Sequence, residues 1–261
     1  MDFQNVNPIN VWLNMVSGNL FPMTADSSFS IFWKIYSLLV WLLTILETCV
    51  LVLGCIFVPI EKVLKDGLVG LVVFMEMITT VIRIHTCRGL VQQLIQNLNN
   101  ILRMDDELMR SIVTTTIKSV EMPLKFYWSA GVMSIILWSG TSLILIFQRN
   151  SFFYVDYRMP VAYTKEPFTT SIFVLGSVII MISSVYIFTK KVSVDSYIIN
   201  MTLLTTAQYK YIALKLSMIF QDKSLSNDQD ESDTKKCHPK RDYYIEKNIK
   251  ALCRHHNMVI Q

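Results

Sequence analysis

An all-α, polytopic membrane fold is what this sequence predicts, on three observations. Phe126–Phe147 is a run of 22 residues without a charge, bracketed by Lys125 and Arg149, and Pro167–Thr189 is a second, closed by Lys190 and Lys191. At 1.5 Å rise per residue each run makes a helix roughly 33 Å long, enough for a ~30 Å hydrocarbon core. Charged residues are 17% of the chain and hydrophobic ones 52%, with mean hydropathy +0.40, against about 25% charge in a soluble domain. Finally, apolar residues outside these runs recur at helical spacing with polar residues between them, which is the signature of amphipathic helices.

Each element follows in order. Residues 1–30 hold no Lys or Arg and no basic n-region ahead of an apolar run, so no cleavable signal peptide is expected. Val11, Trp12 and Met15 share a helical face, which suits a short helix in the headgroup region anchored by Trp12, or one packed on the bundle. The first span is expected over 31–60, with Lys34 snorkelling at its start and Glu47 well inside. The second, 67–85, carries Glu76. Carboxylates at such depth cost about 2.5–3.5 kcal/mol each on insertion scales, so they should face protein or a wet cavity. For Glu76 a ligand or ion contact and a helix–helix hydrogen bond are both open. Glu61–Asp66 reads as a tight turn.

Residues 86–125 change character. Leu90, Val91, Leu94, Ile95, Leu98, Ile101 and Leu102 form one stripe, and Ile112, Val113, Ile117 and Val120 another. Two amphipathic helices outside the membrane are expected, the second stopped by Pro123. The third span is 126–147, and the loop 148–168 is rich in tyrosine. The fourth span is 169–190. From Ser171 to Gln221 there is no proline, and Gly176 is the only glycine. An unbroken helix to Phe220 would be about 75 Å long, far more than the bilayer uses, and its remainder needs a partner in the aqueous phase. Ser224–Thr234 is acidic and polar and reads as a disordered loop. Lys235–Arg241 is basic, and Asp242–Gln261 returns to a helical pattern that stops without a cap.

Four spans put both termini on one side. That side carries nineteen Lys and Arg against five on the other, so a cytoplasmic N-terminus is expected. The sequon Asn200-Met201-Thr202 would then stay unmodified. Net charge of +4 does not point to nucleic acid. The five cysteines are scattered without a CxxC, so no disulfide framework or zinc ribbon is expected. Cys237, His238, Cys253, His255 and His256 match no finger spacing, and no metal is expected. The segments lack HExxH, GxGxxG, P-loop and Ser-His patterns, and neither an enzyme nor a cofactor is expected. His85, at a helix end, reads as an interfacial residue.

Recognition in an apolar cavity remains. Leu71, Phe74, Met75 and Ile78 share a face of the second span, Trp138, Thr141, Ser142 and Leu145 one of the third, and Phe173, Ser177 and Met181 one of the fourth. Aromatic and sulfur-bearing side chains with a few hydroxyls suit a small, mostly apolar ligand, although plain helix packing explains each residue equally well.

Four stretches then carry a resemblance: Asn7-Pro8-Ile9-Asn10, Tyr154-Val155-Asp156-Tyr157-Arg158-Met159-Pro160, Thr206-Ala207-Gln208-Tyr209 and Cys253-Arg254-His255-His256-Asn257. In order and spacing the chain resembles insect odorant receptors, particularly hymenopteran ones. The resemblance implies a seven-helix protein with a cytoplasmic N-terminus in the plasma membrane of olfactory sensory neurons. It implies an odorant-gated cation channel assembled with a co-receptor, with no G protein, and odorants held in the outward half of the bundle. The chain stops where the family continues into helices five to seven, the seventh lining the pore, so about four of seven spans and a fragment of a longer receptor are expected. The alternatives are a four-span membrane adaptor or a non-functional truncated receptor.

Overall fold

The computed structural model describes residues 2–23, 29–103, 106–162 and 165–227, and within the last stretch 246–247, 249–254 and 257, with side chains along the long final helix as far as 219. The described chain is helical, with an isolated antiparallel bridge between Phe152 and Phe168. Four helices are long and apolar enough to cross a membrane: Ile31–Phe57, Ile60–Thr86, Glu107–Phe147 and Thr170–Ile219. This is a multi-pass α-helical membrane protein.

Two short helices, α1 (Phe3–Val6) and α2 (Pro8–Val16), open the chain. Pro8 sits where a helix has no use for its missing N–H. Helix α2 buries Ile9, Asn10, Leu13 and Asn14, while Trp12 is exposed on the far side and meets Trp128 edge-on at 4.9 Å. The following turn is clamped by one residue: Asn14 accepts from the Phe21 N–H at 2.9 Å and donates to its carbonyl at 3.1 Å. Gly18 stands in it at φ +70, with Ser37 Cα only 3.2 Å from where a Cβ would go. No L side chain suits that position.

Helix α3 (Ile31–Phe57) buries Val40, Thr44, Glu47, Leu51 and Gly54. Their three- and four-residue spacing is one inward stripe; Leu38, Leu39, Leu42 and Leu46 lie exposed opposite. Such a row is stable where lipid, not water, covers it. The turn into the second span is tighter than expected. Helix resumes at Ile60 through α4 (Ile60–Lys62) and a π-turn (Val63–Gly67) into α5 (Leu68–Thr86). The residues expected as a connector are helical, and Lys62 and Asp66, one turn apart, pair at 3.2 Å within them. Glu76 makes the helix–helix hydrogen bond expected of it, accepting from Lys191 Nζ on the last long helix at 2.8 Å.

Helix α6 (Arg88–Leu102) buries Ile95, Leu98, Ile101 and Leu102, as its stripe predicts, while Leu90 at its first turn stays exposed. Asp106 caps α7 (Glu107–Gly140), accepting from Leu108 N–H at 2.9 Å and Met109 N–H at 3.4 Å. Here one expectation fails. Helix α7 runs straight through Pro123 into the third span, so amphipathic helix and span are one element. The proline removes one backbone bond, but Ile117 on one side and Leu124 on the other are both buried, holding the axis across it. The last turns, Thr141–Phe147, tighten to 3₁₀. Helix α8 (Thr170–Asn227) is unbroken for 58 residues, about 87 Å. It overruns the start of the expected acidic loop; the rest of that loop, the basic run 235–241, and Cys237, His238, His255 and His256 lie outside the described residues. Residues 246–247, 249–254 and 257 are helical, as the last stripe predicts.

The two largest clusters of buried side chains lie at the two ends, and a smaller one joins Ile9, Leu13, Leu124 and Val192. At the end bearing the N-terminus, Phe3, Met77, Ile95, Leu98, Val113, Tyr197 and Leu204 join α1, α5, α6, α7 and α8 in one core, the partner that the overlong fourth helix required. At the other end the loop 148–168 folds back into the bundle, with Phe152, Tyr157, Val161, Phe168 and Phe173 packed together. Between them α7 and α8 approach so closely at Gly131 that a Cβ there would lie 2.1 Å from the Phe188 ring.

Candidate ligand cavity

Between the two cores, α3, α5, α7 and α8 leave a cavity of about 440 Å³. Leu51 of α3, Val69, Val73 and Phe74 of α5, Ile135 and Trp138 of α7, and Ile187 and Phe188 of α8 supply its apolar walls. Met159, reaching in from the loop, closes one side. Its approach depends on two glycines. A Cβ on Gly54 would fall 2.2 Å from the Pro160 carbonyl oxygen and one on Gly67 2.5 Å from the Pro160 ring, so the Met159-Pro160 corner seats only because both side chains are absent.

The polar groups divide by depth. Lys65 and Asp66 line the cavity at the level of that corner, while Glu47, Thr48, Ser134 and Ser184 line it elsewhere. Glu47 lies seven residues from Gly54 along α3, roughly 10 Å deeper. It is 5% exposed. Ser184 Oγ donates to its Oε1 at 2.8 Å and also lies 3.4 Å from Met159 Sδ. The second carboxylate oxygen, Oε2, is buried without a hydrogen-bond partner among the described residues. Such an oxygen carries its full desolvation cost until something donates to it. Glu47 also borders a smaller cleft of about 220 Å³ between α3 and α8, with Val50, Gly176 and Ser183. A larger groove, about 640 Å³, runs between α2 and α7 past Trp12 and Trp128.

Of the residues expected to hold a ligand, Phe74 and Trp138 line the cavity. Ser142 and Ser177 sit behind Trp138, in a crevice of about 10 Å³ with Tyr157 and Arg158. Thr141 is engaged by the loop, accepting from Arg158 Nε at 2.8 Å while donating to the Trp138 carbonyl at 2.7 Å. Leu145 packs against the loop core, and Phe173 is inside it, stacked on Phe152 at 4.2 Å with an 8° interplanar angle. Ile78 belongs to the opposite core, Met75 is exposed, and Leu71 and Met181 are half-buried away from the cavity. Among the lining residues that sequence reasoning left out of the site are Glu47, Ser184 and Met159. Their signals were a carboxylate midway along an apolar run, a Ser183-Ser184 pair in another, and a methionine beside the proline of the loop.

The sequon lies inside the bundle. Asn200 is 0% exposed, with Asn7 donating to its side-chain oxygen at 3.4 Å. Burial blocks glycosylation there on either side of a membrane, so the site reports nothing about orientation. Among the described residues no group of three or more His, Cys, Asp or Glu is placed to hold a metal ion.

No family model, curated protein or solved structure matches this chain.

Proposed function

We propose that the chain is the ligand-binding part of an odorant receptor, a subunit that opens a cation channel together with a co-receptor when a small volatile, mostly apolar compound binds. The observation that carries this reading is the 440 Å³ cavity. Its size and its apolar walls with a few convergent polar groups are those of small-molecule sites. The loop stretch that carries the family resemblance, Tyr154–Pro160, is also the one whose Met159 borders that cavity. With a cytoplasmic N-terminus, loop and cavity face outward, where odorant arrives. The core of α1, α6, α7 and α8 then lies in the cytoplasm, where Tyr209, Leu214 and Met218 on α8 remain exposed. A co-receptor subunit would cover them.

The test is binding to the 261-residue chain in lipid nanodiscs. N-phenyl-1-naphthylamine should fluoresce in the cavity and be displaced by small, mostly apolar volatile compounds, with empty discs as the blank. Gly70→Phe, which fills the space beside Met159, should abolish the signal. Binding that persists in Gly70→Phe removes the cavity from consideration. Orientation is tested separately in cells with Ser151→Cys, at an exposed loop position; labelling by a membrane-impermeant maleimide is expected.

A further inference from the structure

Resting on the cavity reading above, one feature of its wall narrows the class of ligand. Glu47 is buried, has one oxygen satisfied by Ser184 and leaves the other unpartnered. The neighbours it meets across the helix interface are hydroxyls, Ser183 and Ser184, and the nearby cations are engaged otherwise. Lys65 lines the same cavity but no ion pair joins it to Glu47 among the described residues, Lys191 is bound to Glu76 and Asp195, and Lys190 Nζ is held 3.6 Å over the Trp41 ring. A carboxylate enclosed by apolar walls is stabilised when a cation with N–H donors reaches it, because desolvation has already been incurred and a charge-assisted hydrogen bond is among the strongest single contacts. The adjoining walls, Phe74, Trp138 and Phe188, offer ring faces to the remainder of such a molecule.

We propose that the cavity takes a small primary amine on an apolar or aromatic skeleton, its ammonium donating to the carboxylate of Glu47 and its skeleton lying toward Trp138 and Met159. Ser184 acts as a positioning residue that holds the Glu47 carboxylate at the cavity wall through Oε1. Ligands carrying only an acceptor, such as aldehydes, would confront that carboxylate with like polarity.

The experiment compares three compounds of one shape, 2-phenylethylamine, 2-phenylethanol and phenylacetaldehyde, as competitors of N-phenyl-1-naphthylamine on the full chain in nanodiscs. The amine is expected to compete at least tenfold more tightly than either of the others. Glu47→Gln, close to isosteric, should bring the amine within about threefold of the alcohol. Equal competition by all three on the unsubstituted chain overturns the amine assignment while leaving the cavity standing, and that comparison does not depend on any variant folding. An amine preference that survives in Glu47→Gln likewise overturns it. Failure of all three to displace the probe overturns the cavity itself, and the amine assignment with it.

Discussion

Replacing Asp106 by alanine removes three contacts at once, and together they tie the α6–α7 turn to the far half of α8. The carboxylate caps α7 through Leu108 and Met109, accepts from Tyr211 Oη at 2.8 Å, and pairs with Lys215 at 3.0 Å. Loss of the cap costs about 1 kcal/mol, loss of a hydrogen bond to a charged acceptor about 1.5 kcal/mol, and loss of a partly exposed ion pair about 0.5 kcal/mol. Because the three share one side chain they do not add fully, and a total of about 2–3 kcal/mol is expected. Asp106→Asn keeps an oxygen for the cap and should cost about 1 kcal/mol. Burial pushes the Asp106 carboxyl up, but Tyr211, Lys215 and the Leu108 N–H together outweigh it and hold it below the ordinary carboxylate range. The sign follows: the contribution is complete above the ordinary carboxylate value, near 3.9, and is lost as pH falls through the lower folded value. Denaturation of the detergent-solubilised chain should therefore show a deficit in Asp106→Asn that is constant from about pH 5 to 8 and shrinks in acid. Hydrogen exchange should place the loosening in the first turn of α7. Equal stability of Asp106→Ala and the unsubstituted chain would refute this account of how the two halves are joined.

Further outcomes are expected elsewhere. Gly131→Leu should destabilise by about 1–3 kcal/mol through overpacking on the Phe188 ring, and Phe188→Ala should restore part of the loss in thermal melts; additivity of the two would show that the helices do not meet there. Phe173→Ala should cost about 3–5 kcal/mol by emptying the loop core, whereas Trp138→Ala should weaken probe binding with a smaller fall in melting temperature. The reverse pattern would move the ligand to Phe173. Lys190 is fully buried with no hydrogen-bond partner for its ammonium among the described residues, so Lys190→Met should leave the melting temperature unchanged or raise it. A loss above about 1 kcal/mol would mean that the contact with Trp41 is worth more than the charge's desolvation.

The covalent sequence by itself determined where this chain can meet lipid and where it cannot. A charge-free run of about twenty residues has few stable homes, and the absence of proline and glycine breaks between Gly176 and Gln221 leaves α8 nothing at which to end. Periodicity also identified the apolar faces of α6 and the first half of α7, because a helix stripe is a local property. Tertiary contact decided the rest. Pro123 did not stop α7, since burial on both sides of it outweighs one missing hydrogen bond. Phe173 and Leu145 were on faces chemically suited to a ligand, yet the loop folded back and took those faces for its own core. The cavity was left instead where Glu47, Ser184, Trp138 and Met159 converge from four separate stretches. Side-chain type tells what a helix face can bind, but apolar faces are interchangeable in composition, and which of them stays open depends on how the other elements pack.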